Sequence, residues 1–114
     1  MDFEKYHFHL YFDNTEIDVL KRVLKKLEVF DKIEIGRIRE YPVGPHPTGS
    51  CQITVQLGDF EKMLSWFLFE RDGLDIFIHA LSGDDLKDHT DYTLWVGQQH
   101  ELNLDFFRPS LKCV

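Results

Sequence analysis

Long apolar runs are missing from this 114-residue chain. Nothing approaches the roughly 20 consecutive apolar residues that a membrane-spanning helix needs, and the charged start MDFEKYHFH does not read as a secretory leader. Cysteine is scarce. Cys51 and Cys113 supply neither a disulfide framework nor a metal cluster. In a reducing compartment Cys51, inside the apolar alternation CQITVQL, reads as a small buried hydrophobe. Basic residues are outnumbered, 13 against 20 acids, for a formal net charge of −7. Phosphate backbones and anionic lipid surfaces repel such a chain, so neither nucleic acid nor membrane is expected as a partner. The basic cluster Lys21, Arg22, Lys25 and Lys26 reads as the solvated face of one helix. A glycine-rich phosphate loop, a GxSxG elbow and an HExxH pair are all absent. The expectation is one domain over 1–114, because that length fits a single core, with the cytoplasm as its address.

What the chain does have is alternation. YHFHLYF places Phe8, Leu10 and Phe12 on one side of a strand and His7, His9 and Tyr11 on the other. Ile17, Leu20, Val23, Leu24 and Leu27 then follow the helical period, with Asn14 or Thr15 as a candidate cap for about four turns. KIEIGRIRE predicts a second strand, stopped by the prolines that follow it. CQITVQL predicts a third, with Gln52, Thr54 and Gln56 on its polar side. Asp59 is placed to cap a second amphipathic helix, FEKMLSWFLFE, ending near Gly73, and LDIFIHA predicts a fourth strand. The order strand, helix, strand, strand, helix, strand predicts a ferredoxin-like α+β fold, βαββαβ, with a four-stranded antiparallel sheet covered by two helices on one face. The open face should collect His7, His9, Tyr11, Gln52, Thr54, Phe77 and His79. The tail ELNLDFFRPSLKCV is too short for a further domain and should pack on the core or on a partner subunit.

Six histidines in this length are many, and their placement carries chemistry. His7 and His9, two apart on a strand, leave the same face about 6 to 7 Å apart, within reach of one metal ion or of one ligand and one catalytic group. His79 ends the strand predicted to lie beside them. His46 sits in EYPVGPHPTG, which holds three of the four prolines. Proline fixes φ and glycine permits tight turns, so this loop can hold an imidazole in place. Imidazole suits iron, zinc, copper and nickel, and a catalytic metal keeps an open position beside three protein ligands. Asp84, Asp85, Asp88 or Asp91 can orient a ligating histidine. His89 among them is a natural proton carrier near neutral pH. His100, in GQQHELNL, reads as a surface residue.

Read in order, HFHLYFD, GR followed by PVGPHP, and HALSGDDLKDHTDYTLWVG span nearly the whole chain and resemble the DOPA 4,5-dioxygenase family of small ring-cleaving dioxygenases. The resemblance implies extradiol cleavage of a catechol, DOPA-like or caffeate-like, by dioxygen at a non-haem Fe(II) site, with zinc able to substitute because imidazole accepts both. It implies His9, His46 and His79 as metal ligands and His7 and His89 as acid/base groups, with a Glu or Asp able to stand in for one histidine. Arg39 and Tyr11 are the expected substrate-binding residues. Arg39 stands where members of that family carry a further histidine, and its guanidinium can clamp a substrate carboxylate. A homodimer is expected. The competing reading is a non-catalytic, dimeric ferredoxin-like module that binds a small ligand or metal on its open sheet face. Convergence of His9, His46 and His79 separates the two.

Overall fold

The computed structural model describes residues 3–107; Cys113 and the end of the tail, 108–114, lie outside the described residues. The elements are β1 (Lys5–Phe12), α1 (Ile17–Leu27), β2 (Glu34–Arg39), β3 (Gly49–Gln56), α2 (Phe60–Glu70), β4 (Asp75–Ala80), α3 (Asp85–Asp88) and β5 (Thr93–Val96), with short 3-10 turns at Leu57–Asp59 and Leu104–Phe107. The strands form one antiparallel sheet in the order β2-β3-β1-β4-β5. Within it the first four strands keep the ferredoxin-like order. The expected four-stranded sheet is corrected in one respect: β5 extends the β4 edge, pairing Phe77 with Trp95 and His79 with Thr93. Four residues are too few for an alternation to announce a strand.

Alternation decides which face each side chain takes. Phe8, Leu10, Cys51, Ile53, Val55, Ile76 and Ile78 are buried against Leu20, Val23 and Leu27 of α1 and Met63 and Phe67 of α2. Each large apolar side chain so buried contributes about 1.5–3 kcal/mol relative to exposure. Cys51 is buried as expected, and burial pushes its thiol up to about 11. The opposite face carries His7 opposite Thr54 and His79, His9 opposite Gln52 and Phe77, and Tyr11 opposite Ser50 and Asp75. The predicted membership of the open face therefore holds.

Both helix starts differ from expectation. Asp13 accepts hydrogen bonds from the Thr15 amide and hydroxyl, a local turn that delays α1 to Ile17 and leaves it about three turns long. Asp59 makes no capping bond because a 3-10 turn already leads into α2. At the far end of α2, Asp72 and Gly73 take positive φ, as the expected stop near Gly73 requires.

Candidate metal centre and active site

β1 and β4 build the centre. His7 and His9 leave β1 on the open face and His79 leaves β4 beside them, with ring centroids 5.1 to 5.6 Å apart. One ring nitrogen from each of the three lies within 4.8 Å of the other two. His9 and His79 are only 4% and 2% exposed, and their Nε2 atoms are 3.0 Å apart. His79 Nδ1 donates to the Ala80 carbonyl at 2.9 Å, which leaves the lone pair on Nε2. That is the arrangement of a ligating histidine, whose second nitrogen donates to a carbonyl or carboxylate. His9 Nε2–H must then donate to His79 in the metal-free protein. Metal–nitrogen bonds of about 2.1 Å set at right angles bring two nitrogens about 3.0 Å apart, so the His9–His79 separation is one that two ligands of a single divalent cation can have.

The electrostatics favour neutral, ligand-ready imidazoles. Burial, with the neighbouring histidines, holds His9 well below the usual imidazole range and His79 down at about 3. His7 is lowered by burial and by His89, against the opposing charge of Asp88. Asp88, a buried carboxylate, acts on both His7 and His79 through its charge while accepting hydrogen bonds from the Ser82 amide and hydroxyl. Of the four candidate outer carboxylates it is the buried one. Asp84 instead caps α3, and Asp85 and Asp91 are exposed.

Two further histidines close around this triad. The proline-rich loop, turned at Gly44 with φ 61°, brings His46 to within 4.2 Å of His9 between ring centroids. Tyr11 Oη lies 2.7 Å from His46 Nδ1, and burial pulls His46 down to about 4. His89, at the end of α3, lies 4.2 Å from His79 between ring centroids, and its Nδ1 donates to the Asp85 carbonyl at 2.7 Å. All five histidines singled out in the sequence thus converge. The mutually facing nitrogens are those of His7, His9 and His79, whereas His46 stands beside them, engaged with Tyr11.

The strap that follows β5 forms the wall of the site. Asn103 N–H donates to the Pro45 carbonyl at 2.8 Å, Phe106 packs its ring over Gly44, and Phe107 lies 4.5 Å from His89 between ring centroids. The tail therefore packs on the core as far as residue 107. On one side of the strap is a cleft of about 320 Å³ lined by His9, His46, Arg37, Arg39 and Phe106. On the other is a cleft of about 740 Å³ lined by His89, Phe77, Trp95, His100 and the strap itself. Arg39 reaches the first cleft because it pairs with Ser50 on the open-face side of β3. The register shift between Ile35 and Ile38 brings Arg37 to the same cleft.

His100 is not the surface residue its sequence context suggests. It is half-buried, donates from Nε2 to Asp75 at 2.8 Å, stacks on Trp95 and meets Tyr11 edge-on. The irregular stretch GQQHELNL has no periodicity from which that placement could be read.

These features define a class: a ferredoxin-like sheet whose open face carries a histidine cluster able to hold a metal ion. The chain belongs to the Dopa 4,5-dioxygenase family, which it matches over residues 6–106. It is 30% identical over 112 residues to DOPA 4,5-dioxygenase of Amanita muscaria, covering 90% of this chain and 49% of that protein. It is 26% identical over 87 residues to an uncharacterized 21.2 kDa protein of Botryotinia fuckeliana, covering 69% of this chain and 48% of that one. The chain thus spans about half the length of both fungal relatives. The crystal structure of a candidate dioxygenase from Nostoc punctiforme PCC 73102 superposes with a TM-score of 0.90 at 37% identity, covering 95% of this chain and 94% of that one. Among the described residues no helix is long and apolar enough to cross a membrane.

Proposed function

We propose that this protein is a metal-dependent extradiol dioxygenase that opens the ring of a catechol, DOPA-like or caffeate-like, with dioxygen. The observation that carries the reading is the meeting of His7, His9 and His79 nitrogens in a largely buried cluster, with His9 at the wall of the smaller cleft. These three are the proposed ligands, with His7 taking the place first expected for His46, because its nitrogen faces the other two. Fe(II) is the proposed metal, and zinc a redox-inert substitute. Bound there, ferrous iron would supply the electronic link between a catechol and dioxygen.

The chain's own residues do the rest. His46 and His89 border the clefts and are the proposed groups that handle the catechol protons. Arg39, with Arg37 beside it, is placed to hold a substrate carboxylate. Tyr11, buried against His46, is kept from the substrate itself by that burial, and Trp95 offers a flat apolar surface to an aromatic ring. The strap narrows the opening and limits water at the reacting atoms. A homodimer in the cytoplasm completes the proposal, supported for the dimer by Leu68 and Phe69 standing exposed together on α2 and open to test by sedimentation. The non-catalytic module gains no support, since its distinguishing condition was that the histidines lie apart.

The test is to load the protein anaerobically with ferrous iron, admit oxygen with L-DOPA, and follow oxygen uptake together with a yellow ring-opened product. One oxygen consumed per product is the expected result. Full turnover by a metal-free sample would overturn the reading.

A further inference from the structure

We infer that the two histidines flanking the triad are locked in opposite neutral tautomers by their second partners. Tyr11 fixes His46 with its proton on Nε2, as a hydrogen-bond donor toward a substrate oxygen. The Asp85 carbonyl fixes His89 with its proton on Nδ1, leaving Nε2 as a base. Tyr11 is then a positioning residue, and the catalytic use of the two histidines rests on the dioxygenase reading above.

The argument is one of donors and acceptors. A carbonyl oxygen only accepts, so the 2.7 Å contact between His89 Nδ1 and the Asp85 carbonyl places the proton on Nδ1. The lone pair of a neutral His89 is therefore on Nε2. A phenol can donate or accept, but Tyr11 is 2% exposed and His46 Nδ1 is the partner of its hydroxyl among the described residues. Were His46 Nδ1 to donate, the phenolic proton would be buried without an acceptor, at a cost of about 1–3 kcal/mol. Tyr11 therefore donates, Nδ1 accepts, and a neutral His46 carries its proton on Nε2. Such a ring has no free lone pair for a cation. His79, with Nδ1 bonded to a backbone carbonyl, shows the opposite pattern, that of a ligand.

The two rings are 6.4 Å apart between centroids and both lie near Phe77, at 6.3 and 5.9 Å. A catechol whose oxygens reach both rings would meet a base from one and a donor from the other. The single proton transfer moves a catechol O–H proton to His89 Nε2, giving catecholate and imidazolium. His46 keeps its proton and hydrogen-bonds the oxygen where negative charge collects. Two histidines of the same composition are thus given different tasks by partners that never touch the substrate.

Histidine-labelled protein, metal-free at pH 7.5, settles the tautomers by long-range proton–nitrogen correlation spectra, with His46→Gln and His89→Gln supplying the assignments. His46 should show Nε2–H with a hydrogen-bonded Nδ1, and His89 should show Nδ1–H. Tyr11→Phe should move the His46 Nδ1 resonance downfield, toward an unbonded acceptor, and leave His89 unmoved. Should that variant not fold, the wild-type spectrum decides alone. A proton on His46 Nδ1, or an unchanged Nδ1 resonance in Tyr11→Phe, overturns the inference. One equivalent of zinc should perturb His7, His9 and His79 while His46 retains Nε2–H; loss of that proton to zinc also overturns it. The two tautomers in a protein that binds no zinc would overturn the functional half and the metal reading, with the tautomer assignment left standing.

Discussion

His9 and His79 contact each other diagonally across β1 and β4. His9 stands opposite Phe77 and His79 opposite His7, yet the Nε2 atoms of His9 and His79 are 3.0 Å apart. Two buried imidazoles at that distance need something positive between them, a shared proton or a cation. In His79→Ala the His9 donor loses its buried partner and the triad loses a nitrogen. Metal affinity should fall by at least about 100-fold, more than the loss of an outer-sphere partner costs. Competition with a chromogenic chelator measures it, and an unchanged far-UV circular dichroism spectrum shows that the fold is kept.

Acid should weaken the metal-free protein earlier than is usual. Folded His79 titrates near 3 and folded His46 near 4, both below the unfolded value of about 6.5, and His7 and His9 are lowered too. The unfolded chain therefore binds more protons. The stability these groups contribute is fully present above pH 6.5 and is lost as pH falls from there through the folded values. Between pH 6.5 and 5, His79 alone accounts for about 2 kcal/mol. Urea midpoints should drop over this interval, above the range where most carboxylates titrate. A midpoint constant from pH 7.5 to 5 would show that the imidazoles are not held neutral.

Arg39 can be tested by substrate choice. Arg39→Ala should raise KM for a catechol bearing a carboxylate by about 10- to 100-fold, the worth of a charge-assisted hydrogen bond, and leave KM for unsubstituted catechol nearly unchanged. Arg39→Lys should recover only part of the loss because an ammonium lacks the planar fork. Equal effects on both substrates would assign Arg39 a structural role.

Gly49 opens β3 at a crowded point. A Cβ there would lie 2.9 Å from the Phe12 ring and 3.1 Å from the Arg39 carbonyl. Gly49→Ala should cost about 1–3 kcal/mol through overpacking, read as a lower urea midpoint. Because the obstruction includes the backbone of Arg39, KM for a carboxylated catechol should rise as well.

The sheet and the gathering of His7, His9 and His79 on its open face were legible because both depend on period-two alternation. Once Phe8, Leu10 and Phe12 are assigned to the core, His7, His9 and Tyr11 have only the other face to occupy, and a ferredoxin-like order brings His79 beside them. The parts that escaped the sequence are set by contacts between distant irregular segments. β5 is too short to show a period, and nothing in GQQHELNL announces that His100 bonds Asp75 or that Asn103 bonds Pro45. The two helix caps failed for a local reason: Asp13 and the turn at Leu57–Asp59 use the backbone groups that a capping side chain would have served. The choice between His7 and His46 as third ligand turns on one phenol hydroxyl, which no motif records.

The diagonal pair also orders events in time. Its partners are 70 residues apart in the chain, so the centre cannot exist until β4 has docked along β1, a non-local step that loop closure makes slow. On the ribosome the His7 and His9 segment emerges first and must wait for most of the chain before its third imidazole arrives. An ion that needs all three nitrogens can therefore be held only once β4 lies along β1.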